Sequence, residues 1–241
     1  MRTLLLALLL FPAPAFSVTL NDVHSQLNAT EVREVAQPSS MKELTSAVKT
    51  AVKRGLPISI SGGKHSMGGQ QFGQGTFHIN LSLFNKVISL DEKRGIVEVE
   101  SGIQWPELVD WLLRAQAGRP KQWGIRQKQT GADKLSIGGA LSSNIHGRGL
   151  KMAPMIADVE SFTLVNAQGK TVECSRKKNP ELFRLAIGGY GLFGVIGTVK
   201  LRLMKRTKLE REVVLATTEE ILAKVEDSGF LFGDFQFSTD S

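Results

Sequence analysis

Apolar positions along the chain change their spacing several times, and each change predicts a new element of secondary structure. Between residues 44 and 52 they recur at the spacing of one helix face, and Gly55 follows as a stop signal. Helices are also predicted at residues 105–115, 180–186 and 218–228. Shorter alternating or continuously apolar stretches predict strands at residues 31–36, 58–60, 77–81, 86–90, 96–100, 159–165, 170–174, 195–204 and 229–241.

The order of these elements predicts the fold class. Residues 91–95 and 166–169 are rich in turn-forming residues, and each run separates a pair of predicted strands, which indicates hairpins. Helices interrupt the strands without the regular strand–helix alternation of a parallel α/β sheet. The sequence therefore predicts an α+β fold, and its 241 residues suffice for one large domain or two small subdomains.

Composition places the chain among ordinary globular proteins, with 41% hydrophobic and 22% charged residues. The net charge of +7 would suit a polyanion, but the basic residues are scattered, and their densest cluster, residues 176–178, lacks neighbouring aromatic side chains. We therefore expect no nucleic-acid partner. The four histidines and the single cysteine, Cys174, show no metal-ligand spacing, so we expect no metal site and no internal disulfide.

The first residues have the pattern of an export signal. Arg2 supplies a positive charge, residues 4–11 form a short apolar run, and Ala15 and Ser17 offer small side chains near a cleavage point. The apolar run is too short to span a bilayer. We therefore expect residues 1–17 to be a signal peptide and the protein to be secreted or periplasmic, without a membrane span.

The most distinctive motif follows the predicted strand at residues 58–60. That strand leads through Ser61 into the run Gly62-Gly63-Lys64-His65-Ser66. Glycines let the main chain turn sharply and bring successive N–H groups close to an anion. His65 would then lie at the rim of the anion cradle as a nucleophile or proton carrier. A glycine-rich surface turn without a ligand is the alternative.

Two other patterns are incomplete. Residues 189–194 have the glycine spacing of a dinucleotide-binding turn, but they follow a predicted helix and open a strand, the reverse of the required order. We therefore reject a Rossmann fold and retain only that the backbone approaches another group closely there. Ser66 nearly matches the nucleophile elbow of hydrolases, but Lys64 stands where that motif needs its first glycine, which disfavours a hydrolase.

A further glycine-rich segment covers residues 130–149. Its small side chains leave room for a bulky flat ligand against the backbone, and its hydroxyl and amide groups can bond the edges of that ligand. Taken alone, the segment is more typical of a closely packed helix start. Together with residues 61–66 and 189–196, however, it indicates one elongated ligand with an anionic middle and two flat ends.

In this order and at these intervals, the motifs resemble the FAD-binding domain of the vanillyl-alcohol oxidase family, also called the p-cresol methylhydroxylase type. The resemblance extends from Glu31 to Met204 and is carried by residues 61–66, 135–147 and 181–199. It implies two α+β subdomains that clasp an extended FAD. Residues 18–207 would be the FAD-binding domain, and residues 208–241 the start of a C-terminal substrate or cap region that is truncated in this chain.

The resemblance also implies which residues hold FAD. In members similar to sugar-lactone and alditol oxidases, the histidine of a Gly-His-Ser loop is bonded to the 8α carbon of the flavin, which implies a covalent link at His65. A noncovalent contact with the pyrophosphate is the alternative. Lys64 departs from the family pattern because it separates the glycines from His65, and residues 127–130 lack the cysteine of members with a second attachment. The implied cofactor-binding residues are Ser61, Gly62, Gly63, Lys64, His65, Ser66, Thr130, Ser136, Gly138, Gly139, Ser142, Asn144, His146, Gly147, Gly194 and Ile196.

The activity implied by the resemblance is that of an FAD-dependent oxidoreductase, either an oxidase or a dehydrogenase. It would oxidise a CH–OH group of a small hydroxylated substrate by hydride transfer to flavin N5. Arg148 or Lys151 would stabilise charge at the N1–O2 edge of the flavin. The electrons would pass to dioxygen or to an acceptor protein such as a cytochrome. Family members usually take their catalytic base from the cap, so no catalytic residue is assigned. A non-catalytic flavin-binding module that lacks its substrate domain is the alternative function.

Overall fold

A computed structural model describes residues 17–129, 131, 133–227 and 229–236 of the chain. The predicted signal peptide up to residue 16, the predicted site residue Thr130 and the end of the last predicted strand, residues 237–241, lie outside the described residues. Within the described ranges, helices and sheets are mixed, which confirms the α+β prediction. No helix in those ranges combines the length and apolar character that crossing a membrane requires.

A small parallel sheet is built from the N-terminal part of the described chain. Its elements and the hairpin that precedes them are, in chain order, β1 (Val18–Leu20), β2 (Thr30–Val32), β3 (Glu34–Ala36), α1 (Met41–Lys53), β4 (Ile58–Ser61) and β5 (Phe77–Asn80). β5 lies in the middle and pairs in parallel with β3 and β4. The helix begins where the Ser40 hydroxyl accepts a hydrogen bond from the Glu43 N–H (3.2 Å).

A larger antiparallel sheet occupies the rest of the fold. The remaining helices and strands, in chain order, are β6 (Val87–Asp91), β7 (Ile96–Glu100), α2 (Trp105–Ala115), β8 (Trp123–Gly124), α3 (Ile137–Ser142), β9 (Val159–Val165), β10 (Thr171–Ser175), α4 (Pro180–Ala186), β11 (Val195–Arg202), β12 (Met204–Lys205) and α5 (Thr218–Asp227), with 3-10 turns at Leu81–Leu83 and Met155–Ala157. The strand order in this sheet is β10-β9-β11-β7-β6. The predicted hairpins are β6–β7 and β9–β10, and β11 lies between them.

Each sheet covers a hydrophobic core. The apolar stripe of α1 packs on Phe77 and Ile79 of the parallel sheet. The larger core lies between the antiparallel sheet and helices α2, α3 and α4, with Phe162 fully buried in it. Val165 and Val195 of the larger sheet also belong to the smaller core, so the two cores meet where β9 ends and β11 begins. The candidate site opens beside this junction.

Two long predicted strands are divided in the structure by a change of partner. Residues 31–36 are split at Arg33, because β2 pairs with β1 whereas β3 pairs with β5. Residues 195–204 are split at Leu203, whose N–H donates to the Gly95 carbonyl (2.7 Å) before β12 pairs with β8. An alternating pattern shows that a segment is extended, but it does not report which neighbour that segment pairs with.

The strand predicted over residues 229–241 is wrong within the described residues. Residues 229–236 form only an isolated bridge, between Phe232 and Gly149. Phe230 and Leu231 stay exposed, so their apolar character does not mark a buried strand face here. The helix predicted just before it is present as α5.

Candidate functional site

A cleft with a volume of about 690 Å³ lies where three separate segments of the chain meet. Its walls are the loop after β4, the segment around α3, and the loop that leads into β11. The volume falls within the range of roughly 300–1,000 Å³ that is typical of small-molecule and cofactor sites. The three glycine-rich motifs of the sequence therefore form one site.

The structure brings together the predicted site residues that it describes. Thr130 lies outside the described residues, and the contact of the others with a cofactor stays a prediction. Those that line the cleft are Ser61, Gly62, Gly63, Lys64, His65, Ser66, Ser136, Gly138, Gly139, Ser142, Asn144, His146, Gly147, Gly194 and Ile196.

The loop after β4 starts at the edge where parallel strands end, which is the usual ligand-binding edge of such a sheet. The N–H groups of residues 63–66 donate no hydrogen bond to another described residue. Lys64 has a left-handed backbone with φ of 56°, which is uncommon for a side-chain-bearing residue. Free, successive N–H groups in such a turn are suited to an anion.

Glycine is required where the walls of the cleft touch. A Cβ on Gly62 would overlap the Ser136 hydroxyl, which caps the start of α3 by accepting the Gly139 N–H (3.3 Å). A Cβ on Gly138 would lie 2.7 Å from the Ser101 Cβ. The backbone therefore does approach other groups closely at these glycines, as predicted. At Gly62 the group that it approaches is Ser136, which belongs to another of the glycine-rich segments.

Two further wall residues have strained backbones. Asn144 and Tyr190 have φ values of 44° and 49°. The Asn144 side chain accepts the Ile156 N–H (3.1 Å), and the Tyr190 N–H donates to the Ser142 carbonyl (3.0 Å), so both turns are held by hydrogen bonds. Left-handed non-glycine residues that line a cleft are typical of functional sites.

His65 lines the cleft and has one ring nitrogen without a hydrogen-bond partner in the described part of the chain. This nitrogen, Nδ1, is buried. Burial lowers the pKa of His65 below its usual value of 6.5, and the neighbouring His24 and Lys134 lower it further. At neutral pH the ring is therefore neutral and retains a lone pair, as a nucleophile or a hydrogen-bond acceptor requires.

Gln71 is a site residue that the sequence analysis missed. Its Nε2 donates to the Ser66 carbonyl (3.1 Å), and its Oε1 is buried without a partner in the described part of the chain. The bond to Ser66 fixes which end of the amide is free, so the side chain presents an acceptor to a ligand. A polar Gln70-Gln71 pair so soon after the glycine loop was a signal that could have found it.

His78 holds in place the end of β4, the strand that leads into the glycine loop of the cleft. It is fully buried, and its two ring nitrogens contact the hydroxyls of Ser59 (2.8 Å) and Ser61 (2.7 Å). Burial, with a smaller effect from the positive charge of Lys64, lowers the pKa of His78 to about 4. The neutral ring therefore links β5 to the end of β4, just before the glycine loop.

The two cations considered for the flavin edge differ in position. Arg148 lines the cleft and pairs with Asp234 (3.2 Å), whereas Lys151 is exposed outside it. The adjacent Gly147 is held by Gln127, which accepts the Gly147 N–H (3.1 Å) and donates to the Ala153 carbonyl (2.6 Å). Of the two, Arg148 is thus the one available to a ligand. Among the described residues, no cluster of acidic, histidine or cysteine side chains could hold a metal ion.

Comparison with known proteins identifies the family. Residues 32–175 match a family model described as an FAD binding domain, and this match covers more than half of the chain. The chain belongs to the FAD-binding domain family of the vanillyl-alcohol oxidase and p-cresol methylhydroxylase type. The resemblance inferred from its motifs is confirmed, and FAD is the cofactor that the family binds.

Two relatives of this FAD-binding domain are sugar-lactone enzymes. L-galactono-1,4-lactone dehydrogenase, mitochondrial, from Arabidopsis thaliana is 31% identical over 206 residues, which are 83% of this chain and 32% of the plant protein. L-gulonolactone oxidase from Bos taurus is 28% identical over 191 residues, which are 79% of this chain and 41% of the bovine protein. The chain thus spans between about a third and two fifths of the length of these relatives.

The residues of the cleft fit FAD. Loop N–H groups without internal partners suit the pyrophosphate, and the unpaired His65 Nδ1 and Gln71 Oε1 are polar atoms that a ligand would satisfy. Glycines line two walls of the cleft, where a Cβ at Gly62 or Gly138 would collide with Ser136 or Ser101, so these positions keep the walls closely packed around the ligand space. These loop donors and unpaired acceptors are the features of the cleft that fit FAD.

Proposed function

We propose that this chain is the FAD-binding part of an oxidoreductase that oxidises a CH–OH group of a small polyhydroxylated molecule, with aldonolactones as the first class to test. The observation that carries the proposal is the convergence of three glycine-rich segments on one cleft, within a chain of this family. The relatives named as lactone dehydrogenase and lactone oxidase support the substrate class.

In this proposal the described residues bind and orient the cofactor. The N–H groups of residues 63–66, with the Lys64 charge, hold the pyrophosphate, while Gly138, Gly139 and Gly194 form part of the wall beside the rings. Two α+β units, one around each core, clasp the cofactor, and residues 18–207 contain both. When bound, the flavin supplies N5 as the acceptor of a hydride from the substrate. Arg148 places positive charge at the cleft for the N1–O2 edge.

We also propose that His65 is bonded to the 8α carbon of the flavin. His65 would gain an N–C bond and lose a proton, the 8α methyl would lose a hydrogen, and the two electrons released would reduce the flavin before dioxygen takes them up. The neutral ring and the unpaired Nδ1 support this role. Denaturing the protein in acid and recording its visible spectrum tests it: colour should stay with the wild-type chain and be lost from His65→Ala.

The whole protein's electron acceptor is part of the proposal. The relatives include both an oxidase and a dehydrogenase by name, so dioxygen and an acceptor protein are both candidate acceptors. Peroxide production and dye reduction, measured side by side with aldonolactones, alditols and hydroxy acids, distinguish them. Residues 208–241 would begin the substrate or cap region.

A flavin-binding module without turnover is the second candidate. What supports it is that the described residues of the cleft account for cofactor binding, and none of them is assigned as a catalytic base. Protein that binds FAD but neither reduces dye nor bleaches its flavin with any substrate would support the module. Protein that stays folded and colourless in excess FAD would overturn both functions.

We further propose that residues 1–17 direct export, so that the mature protein is secreted or periplasmic. The support is the charged, apolar and small-residue pattern of the N-terminus. Mass spectrometry of the protein from its native host, together with fractionation, tests this: a mature chain beginning near Val18 outside the cytoplasm is expected. A full-length chain in the cytoplasm would refute it.

A further inference from the structure

A strap of residues 21–28, between β1 and β2, lies against the loop that carries His65. The matched FAD-binding domain begins at residue 32, so the strap precedes the part of the chain that the family model describes. Its His24 lies against His65, which lines the cleft.

The strap has its own internal structure. The buried carboxylate of Asp22 accepts hydrogen bonds from the His24 N–H (3.0 Å), from the backbone and hydroxyl of Ser25 (2.6 and 2.9 Å), and from the Asn28 amide (2.8 Å). Burial alone would raise the pKa of Asp22, but these hydrogen bonds hold it well below its usual range. The carboxylate therefore stays charged, and the strap stays ordered around it.

Two hydrogen bonds fasten the strap on either side of His65. The Val23 N–H donates to the Lys64 carbonyl (3.0 Å), and the Asn28 amide donates to the Met67 carbonyl (2.7 Å). Lys64 and Met67 belong to the glycine-rich loop, and Lys64 has the strained φ of 56°. The strap thus supports the one residue by which this loop departs from the family's Gly-His-Ser pattern.

His24 completes the contact with its ring. The centroids of the His24 and His65 rings are 5.0 Å apart, and the ring planes meet at 69°, in an edge-to-face arrangement. This geometry is favourable for aromatic pairs and restricts rotation of the His65 side chain. The charged groups facing His65 are His24 and Lys134, and its Nδ1 is left without a partner among the described residues.

We propose that His24 is a positioning residue: the strap holds the His24 ring against His65 and so fixes the orientation in which the His65 ring meets the flavin. The proposal rests on the proposed function, because it assumes that His65 faces bound FAD. The strap carries out no chemistry itself. It fixes in advance the orientation that the inserted Lys64 would otherwise leave free, and orientation fixed before binding lowers the cost of binding.

The test compares three single variants with the wild type. Apoprotein is titrated with FAD, and the initial quenching of flavin fluorescence, recorded before the proposed covalent bond forms, gives the Kd of the noncovalent complex. His24→Ala should raise the Kd by about two- to tenfold, the loss expected for one aromatic pair. His24→Phe keeps the edge-to-face contact and should stay within about twofold of the wild type. The control is Leu27→Ala, which changes an 86% exposed side chain of the same strap and should have no effect.

A second measurement reports on His65 directly. The imidazole signals of His65, recorded by NMR on apoprotein, give its tautomer and its pKa. The pKa of His65 should rise in both His24 variants, because each removes the neighbouring imidazole that lowers it, whereas the wild-type tautomer should persist only in His24→Phe. If His24→Ala does not fold, His24→Leu replaces it, with the same expectations.

The outcomes separate this inference from the function on which it rests. Wild-type protein that binds no FAD would overturn the proposed function. Wild-type protein that binds FAD while His24→Ala binds it equally well, with His65 signals unchanged, would overturn the positioning role alone. The positioning role would also be overturned if His24→Phe bound FAD as weakly as His24→Ala. The edge-to-face contact with His65 would then have no effect on binding.

Discussion

Replacing Gly62 by alanine should disrupt the contact between two walls of the cleft. The backbone of Gly62 is not in the left-handed region, so alanine itself would not be strained there. Its Cβ, however, would lie 2.7 Å from the Cβ of Ser136 and closer still to the hydroxyl. Ser136 cannot turn away freely, because its hydroxyl caps α3 through the Gly139 N–H (3.3 Å).

The size of the effect follows from these contacts. Inserting a methyl group into a tightly packed place costs about 1–3 kcal/mol. Displacing the cap adds roughly 1 kcal/mol. The expected loss in the free energy of unfolding is therefore about 2–4 kcal/mol, which in a protein of this size lowers the Tm by roughly 5–15 °C. FAD affinity should fall as well, since the walls that the two segments form would move apart.

Urea denaturation of the apoprotein measures the loss, and an FAD titration measures the affinity. The matched control is Gly124→Ala, because a Cβ at Gly124 would meet nothing within 4 Å. A second mutation, Ser136→Gly, costs only a few tenths of a kcal/mol at a cap and removes the clashing side chain. In the Ser136→Gly background, Gly62→Ala should lower the free energy of unfolding by at least about 1 kcal/mol less than it does in the wild type. The reasoning would be refuted if Gly62→Ala lowered the free energy of unfolding equally in the wild type and in the Ser136→Gly background. It would also be refuted if Gly62→Ala were as stable as Gly124→Ala.

Three further predictions concern single side chains. As the pH falls from 6.5 towards about 4, the free energy of unfolding of the wild type should fall by up to about 3 kcal/mol. The reason is that His78 takes up a proton near pH 6.5 in the unfolded chain but only near pH 4 in the folded protein. His78→Gln should lose that pH dependence in urea midpoints, and a variant with unchanged dependence would count against this. Gln71→Leu should raise the Kd for FAD by about two- to tenfold in a fluorescence titration, and an unchanged Kd would mean that the free oxygen is not used. Arg148→Ala should lower the reduction potential of bound flavin, measured by dye equilibration, whereas Lys151→Ala should not; equal shifts would remove Arg148 from the flavin edge.

The sequence alone predicted most of the local elements and the glycine motifs that line the cleft. α1 and α2 were predictable because burying one face forces apolar residues to recur with the helical period. The glycine motifs were predictable because only glycine tolerates the close approach seen at Gly62 and Gly138. Their order along the chain was sufficient to recognise the family, and the match of residues 32–175 confirms it.

Only the tertiary structure decided which distant residues meet. Gln71 and Ser101 line the cleft, Lys151 lies outside it, and His24 reaches His65 across a span of the chain with no shared local pattern. β11 lies between two hairpins, and residues 229–236 form no strand although their composition favours one. The spacing of apolar residues shows which face of a segment is buried. Which partner covers that face depends on the packing of the whole chain, and no local pattern contains that information.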